Sequence, residues 1–178
     1  KLINAAGAWA DGLAEVAGCA PLGIQPYRRT VAQLRVLPEP SPTQPLILDI
    51  SGNFYFKPES ARLWLSPHDE EPSPACDAAP EEIAIATAID RLQQVVTWEV
   101  QQVEAKWAGL RSFAPDRLPV YGQDSSNEDF IWFAGQGGFG IQTAPAAAQL
   151  TAAMLLGQPL PTHLTDIDVK KYSPERFG

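Results

Sequence analysis

Ile131 to Gly157, IWFAGQGGFGIQTAPAAAQLTAAMLLG, decides the reading of this chain. It divides into a short apolar run (Ile131 to Ala134), a turn with glycine at 135, 137, 138 and 140, and an alanine- and leucine-rich segment from Ile141 to Leu156. That order predicts strand, turn, helix. Glycines accept positive φ and let bare backbone approach a ligand. The first amides of the following helix point outward unpaired, with the positive end of the helix dipole behind them. Such a turn favours an anionic or electron-rich partner. A tight turn into a core helix, with no ligand at all, accounts for the same residues.

No charged residue occurs between Phe130 and Thr165, so the helix is expected to be an interior one. Its roughly 15 residues, with Gln142, Thr143, Gln149 and Thr151 among them, fall short of the ~20 apolar residues that a bilayer span needs. Gly135, Gly137 and Gly140 spell G-x-G-x-x-G after a strand and before a helix. A dinucleotide-binding turn, however, requires a second parallel strand after the helix and an acidic residue about 20 positions on. Here Gly157-Gln158-Pro159-Leu160-Pro161 follows, and Asp166 and Asp168 lie in a short polar tail. The turn is therefore expected to touch some other part of a cofactor.

The remainder reads as α+β. Leu2 to Ala5 is a strand entering a small-residue turn, and Ala8 to Ala17 a helix with Trp9, Leu13, Val16 and Ala17 on its apolar face. Tyr27 to Val36 alternates, with Ala32, Leu34 and Val36 inward. Leu46 to Ile50, Asn53 to Phe56 and Arg62 to Ser66 form an antiparallel meander. In it Phe54 and Phe56 point one way, and Tyr55 and Lys57 the other. Pro80-Glu81-Glu82 opens a helix whose stripe is Ile85, Ala88, Ile89, Leu92 and Val96. Val100 to Trp107 alternates again, with Val103, Ala105 and Trp107 inward, and Val120 to Gly122 is a short strand. Asp69, Glu70 and Glu71 are read as solvated loop acids, and Asp124 to Asp129 as a polar loop. Strands Leu2 to Ala5 and Ile131 to Ala134 are expected to be neighbours, since both feed turns into helices.

A net charge of −8, from 21 acidic and 13 basic residues, argues against a nucleic-acid or anionic-membrane surface. Cys19 and Cys76 make no metal spacing, and His68 and His163 are isolated, so no metal site is expected. No signal peptide or transmembrane segment is visible, and a cytoplasmic location is expected. The chain lacks G-x-S-x-G, H-E-x-x-H, C-x-x-C and G-x-x-x-x-G-K-[ST]. Chemistry, if present, is expected from a cofactor. Arg111, between Leu110 and Phe113, either pairs with a structural carboxylate or grips a substrate carboxylate in the bidentate manner that suits a guanidinium. Tyr55 either faces a ligand or simply covers its sheet.

Five segments, in order, resemble the FAD-dependent oxidoreductases of the D-amino-acid oxidase and glycine oxidase type. They are Ile3-Asn4-Ala5-Ala6-Gly7-Ala8-Trp9, Tyr55-Phe56-Lys57-Pro58-Glu59, Trp107-Ala108-Gly109-Leu110-Arg111 with Pro115-Asp116 and Pro119, Gly135 to Gly140, and Tyr172-Ser173-Pro174-Glu175-Arg176-Phe177. The resemblance implies a mainly antiparallel substrate domain over 21–112, with 1–20 and 113–178 as C-terminal pieces of an FAD-binding α/β domain. It also implies a flavin lying between these domains. By the same resemblance, Gly7, Gly135, Gln136, Gly137, Gly138, Phe139, Gly140 and Ile141 contact the flavin, Arg111 holds the substrate carboxylate and Tyr55 borders the substrate. The implied reaction oxidises the carbon of an amine, amino acid or, less commonly, hydroxy acid, with hydride passing to the flavin. The strand-turn-helix that would hold the ADP half of FAD is not found in these residues. The chain is therefore expected to be a fragment, inactive by itself. The rival expectation is a non-catalytic remnant whose sheet only binds a partner.

Overall fold

The computed structural model describes all of residues 1–178. In chain order the elements are β1 (Leu2–Asn4), α1 (Ala10–Val16), β2 (Gln25–Leu37), β3 (Ile47–Leu48), β4 (Tyr55–Glu59), β5 (Arg62–Ser66), β6 (Glu71–Pro72), α2 (Glu82–Gln93), β7 (Glu99–Phe113), β8 (Val120–Gln123), β9 (Phe130–Ala134) and α3 (Gly140–Leu156). Short 3₁₀ turns follow β1 and fill the C-terminal tail. The chain divides into two compact units, one of Lys1–Pro26 with Arg111–Gly178 and the other of Tyr27–Leu110. Arg111 belongs to the same unit as the glycine turn.

The unit that contains both ends is an α/β sandwich. Its sheet has the order β1-β9-β8, with β1 parallel to β9 in the register Leu2↔Phe130, Ile3↔Ile131, Asn4↔Trp132, and β8 antiparallel to β9. The two strands that feed small-residue turns are thus neighbours. Period-two alternation sends the side chains of β9 to opposite faces. Phe130, Trp132 and Ala134 pack with Ala10 and Ala14 of α1, while Phe133 packs with Ala147 and Leu150 of α3. Two expectations are corrected here. The buried stripe of α1 is Ala10 and Ala14, and Trp9 and Val16 are 54% and 87% exposed, because only small side chains let this helix lie close over Trp132. Among these 178 residues α3 is covered on one side only. It buries Ala147 and Leu150 in a cluster with Tyr121 and Phe133 of the sheet, Thr151 and Ala153 are buried as well, and Ile141 and Leu156 are 96% and 67% exposed.

The C-terminal tail is tied to this unit by a forked ion pair. Arg176 donates from Nε to Asp116 Oδ2 at 2.7 Å and from Nη2 to Asp116 Oδ1 at 3.0 Å, and Nη2 also reaches the Leu118 carbonyl at 2.9 Å. Two of the segments singled out in the sequence are thereby joined. The Arg176 guanidinium holds the Asp116 carboxyl below its usual range, outweighing partial burial. A depressed folded value stabilises above the unfolded carboxyl value and is lost as pH falls through the folded one. Arg176→Leu is expected to lower stability by about 1 kcal/mol near neutral pH, discounted because the pair is partly in solvent, and by less in acid. Urea unfolding at both pH values checks this.

The second unit is a six-stranded, mainly antiparallel sheet of order β3-β4-β5-β2-β6, with β7 also paired to β2. One face is covered by α2. Ala32, Leu34, Val36, Phe54, Phe56, Leu63 and Leu65 from the sheet meet Ile85, Ala88 and Leu92 from the helix. Leu34, Leu63 and Leu65 are 0% exposed, and each contributes about 1.5–3 kcal/mol of burial. The helix begins at Glu82 with Glu81 as N-cap, two residues later than Pro80 suggested, and Val96 packs on the core from beyond its end. The inward alternation expected for β7 is not found. Val103 and Trp107 are 37% and 38% exposed, since α2 already fills the core face, and Trp107 instead stands edge-on to Trp64 at 5.2 Å. The acids after Ser66 are also not all solvated. Asp69 accepts from Thr30 N and Thr30 Oγ1, both at 2.7 Å, and from Arg28 Nε at 3.3 Å, so it ties its loop to β2. Glu71 lies in the short strand β6.

Candidate functional site

Because β1 and β9 are parallel neighbours, the turns after them leave from the same end of the sheet. In open α/β sheets the carboxyl ends of the strands are where ligands bind. After β1, Asn4 is fully buried and folds the next residues into a tight corner. Its Nδ2 donates to the Ala10 carbonyl at 2.8 Å, and its Oδ1 accepts from Ala6 N at 3.3 Å. The corner ends in Gly7 at φ +59°, and a Cβ there would meet nothing within 4 Å. Glycine is required by the backbone at this point, and the space in front of it is open.

After β9 the chain enters the Gly135–Gly140 turn, with φ +74° at Gly135 and +55° at Gly137. The turn is pressed onto the end of β7 and the residue that follows it. Gly137 N donates to the Ser112 carbonyl at 2.9 Å, and a Cβ on Gly135 would lie 3.4 Å from Ala114 N. A Cβ on Gly137 would stand 2.2 Å from a carbon of the Phe113 ring. One on Gly138 would stand 3.0 Å from Nη1 of Arg111. Gly135 is thus set by its φ angle, Gly137 by its φ angle and by the ring beneath it, and Gly138 by the close guanidinium.

The N-terminus of α3 opens directly from this turn. Phe139 is its N-cap, makes no side-chain cap and is 61% exposed, and no acidic residue lies in the first turn. Thr143 N closes on the Phe139 carbonyl at 3.0 Å, so the amides of Gly140, Ile141 and Gln142 come before the first helical bond. Ile141 points almost wholly into solvent and shields none of them. An uncapped helix end of 17 residues without a competing carboxylate, set behind side-chain-free backbone, suits an electron-rich group such as a flavin ring. By this measure the residues fit the cofactor implied by the sequence. The candidates Gly135, Gln136, Gly137, Gly138, Phe139, Gly140 and Ile141 all lie in this turn and helix start, and Gly7 lies on the neighbouring corner.

Arg111 is half-buried beside Gly138, and no carboxylate of its own unit pairs with it. The structural ion pair left open by the sequence is not formed within that unit. Tyr55, on β4 of the other unit, is half-buried with its ring edge-on to His68 at 5.6 Å. His68 Nδ1 in turn lies 2.7 Å from the Gly52 carbonyl. Nowhere do three or more His, Cys, Asp or Glu side chains gather in a metal-binding group. No helix is long and apolar enough to cross a membrane.

Sequence reasoning did not single out Asn4, Ser112 or Phe113, each of which shapes one of the two turns. It also read Asp124 as loop polarity. Asp124 is instead 8% exposed and accepts from Trp132 Nε1 at 2.9 Å and from Ser126 N and Oγ at 2.9 and 2.6 Å, pinning the loop before β9. The only trace of this in the sequence is an Asp followed two residues later by Ser, the spacing of a side-chain-closed turn. Cys19 is buried nearby. Burial, with Asp124 adding to it, pushes its thiol up.

Among solved structures the fold is shared with glycine oxidase from Geobacillus kaustophilus, with a TM-score of 0.75 and 23% identity over 96% of this chain and 44% of that one. It is also shared with L-amino acid deaminase from Proteus vulgaris, with a TM-score of 0.76 and 13% identity over 99% and 51%. Identities this low establish the fold alone. Curated relatives include FAD-dependent oxidoreductase domain-containing protein 1 of Bos taurus, 27% identical over 99% of this chain. Hydrogen cyanide synthase subunit HcnC of Pseudomonas aeruginosa is 28% identical over 98% of it. The chain spans 39% and 41% of the lengths of these two relatives. Residues 1–154 match the DAO family, described as FAD dependent oxidoreductase, and the chain belongs to that family.

Proposed function

We propose that the protein carrying this chain is an FAD-dependent oxidoreductase that oxidises a C–N bond of a small amine or amino acid, with Arg111 as the anchor for a substrate carboxylate. The observation that carries this reading is Arg111 itself. Its guanidinium has no carboxylate partner in its unit and stands against Gly138 of the flavin-type turn, where an added Cβ would crowd it at 3.0 Å. A half-buried cation in that position is stabilised by a ligand anion, and its planar fork matches a carboxylate. FAD, when bound, supplies the redox step by accepting hydride from the substrate carbon.

The chain's own residues supply position and electrostatics. The amides at the start of α3, from Gly140 to Gln142, favour negative charge on the group they face. The Gly7 corner and the Gly135–Gly140 turn leave room for that group to approach bare backbone. Tyr55 is assigned to the substrate side on the resemblance alone, and within its own unit its ring stands edge-on to His68. Proteins that share this fold are named for small amines that bear carboxylates, namely glycine oxidase, iminodiacetate oxidase and L-proline dehydrogenase, and the proposal takes the same substrate class.

The residues that bind the ADP half are assigned to protein outside these 178 residues, consistent with the two-fifths of its relatives' length that the chain spans. The 178-residue chain alone is therefore expected to retain no flavin through gel filtration, whereas the product of the whole gene elutes yellow with a flavin absorbance band. A colourless product that cannot be reconstituted with FAD would overturn the proposal. Substrate consumption is then followed with amino acids and with amines that lack a carboxylate.

A further inference from the structure

Arg111 and Phe113 are two residues apart on β7, so their side chains leave the same face of the strand. They arrive at two consecutive glycines. Phe113 packs under Gly137, where an added Cβ would sit 2.2, 2.7 and 2.8 Å from three of its ring carbons. Arg111 packs under Gly138, where an added Cβ would sit 3.0 Å from Nη1 and 3.2 Å from Cζ. Between them, the Ser112 carbonyl accepts the Gly137 amide at 2.9 Å. The two side chains differ in stiffness. Arg111 has a long flexible stem, while Phe113 is 6% exposed and lies beneath the Arg117 guanidinium at 3.9 Å from its ring centroid. The aromatic ring is therefore the rigid element of the contact, and Gly137 can approach it only because it lacks a side chain.

We infer that Phe113 is a positioning residue that sets the Gly135–Gly140 turn at a fixed distance from Arg111, through the contact of its ring with Gly137. The inference rests on the reading of Arg111 and the turn given above for its catalytic consequence. Its structural content stands independently. If the turn slides on β7, the amides at the start of α3 and the Arg111 guanidinium no longer keep a constant separation, and a substrate held by one is misplaced against a cofactor held by the other. Such misplacement weakens productive binding without unfolding the protein.

The test uses a complementary pair in the full-length protein. Gly137→Ala adds a methyl group that cannot coexist with the ring. It is expected to raise amide hydrogen exchange at residues 137–139 by at least tenfold, leave exchange in β8 and β9 unchanged, and raise KM for a carboxylate-bearing amine by roughly tenfold, with a smaller change in kcat. Adding Phe113→Ala removes the obstacle. The double variant is expected to recover at least half of both effects on a logarithmic scale, although the left-handed backbone at 137 still disfavours alanine. Gly137→Ala indistinguishable from wild type, or a double variant no better than the single one, would overturn the inference. If either alanine variant fails to fold, Phe113→Leu, which keeps the bulk and loses the flat ring, decides on the same exchange readout. A threefold or greater rise at residues 137–139 is expected, and no rise refutes the positioning role. Should the wild-type protein bind no flavin, the functional proposal falls, while the exchange arm still decides this one.

Discussion

Arg111→Lys, in the flavin-loaded protein, is expected to raise KM for a carboxylate-bearing amine by roughly 10 to 150-fold while the fold and the bound flavin are kept. Lysine keeps the charge but replaces a planar fork by a single ammonium, so the two parallel hydrogen bonds to a carboxylate cannot both be made. Loss of a charge-assisted contact of this kind costs about 1.5–3 kcal/mol, which is the stated range. An amine of similar size without a carboxylate should change little, because that contact was never made. The structure sharpens the comparison, since the guanidinium pairs with no carboxylate in its own unit. A purely structural arginine would give the opposite pattern, with a lowered melting temperature and equal losses for both substrates. Steady-state kinetics with both substrates and one thermal melt distinguish the two.

The sequence carried the architecture of this site where the signal was local. Four glycines in six residues announced the turn, the small-residue corner at Gly7 announced a second one, and the similarity of their settings implied that β1 and β9 are neighbours, as their parallel register shows. The alternation in β2 and the Phe54/Phe56 pair likewise gave the core face of the larger sheet. What failed depended on what lay across the fold. The absence of charge in α3 was read as burial, yet a helix on the outside of a small sheet buries one stripe, and apolar residues such as Ile141 remain on the open side. The alternation in β7 was sound as strand geometry, but which face is covered depends on α2, which lies earlier in the chain. Besides its φ of +55°, residue 137 is glycine because of a ring 24 positions earlier, a contact no local pattern records. Buried carboxylates were also missed. Asp69 and Asp124 sit among polar neighbours typical of loops, and only the donors aimed at them show that they organise those loops.

The largest stability effect is expected at Asp124. Burial alone would push its carboxyl upward, but the hydrogen bonds from Ser126 and Trp132 outweigh that and hold it below its usual range. Asp124→Ala removes the acceptor for the buried Trp132 Nε1 and for two groups of Ser126 at once. A buried donor left unpaired costs about 1–3 kcal/mol, and the loss of charge-assisted loop bonds adds to it, for a total of roughly 2–4 kcal/mol. Trp132 is 0% exposed at the centre of the small sheet, so no water replaces the lost acceptor without disturbing the packing on α1. In a double-mutant cycle with Trp132→Phe, which deletes the donor but keeps an aromatic ring, the combined loss should fall short of the sum of the single losses, because one broken bond is counted in both. The pH dependence follows from the direction of the shift. A depressed folded value means that the stabilisation is complete above the unfolded carboxyl value and disappears as pH falls through the folded one. Wild type and Asp124→Ala should therefore differ most near neutrality and converge in acid. Denaturant unfolding across that range would discard the anchor role if the gap between the two proteins stayed constant.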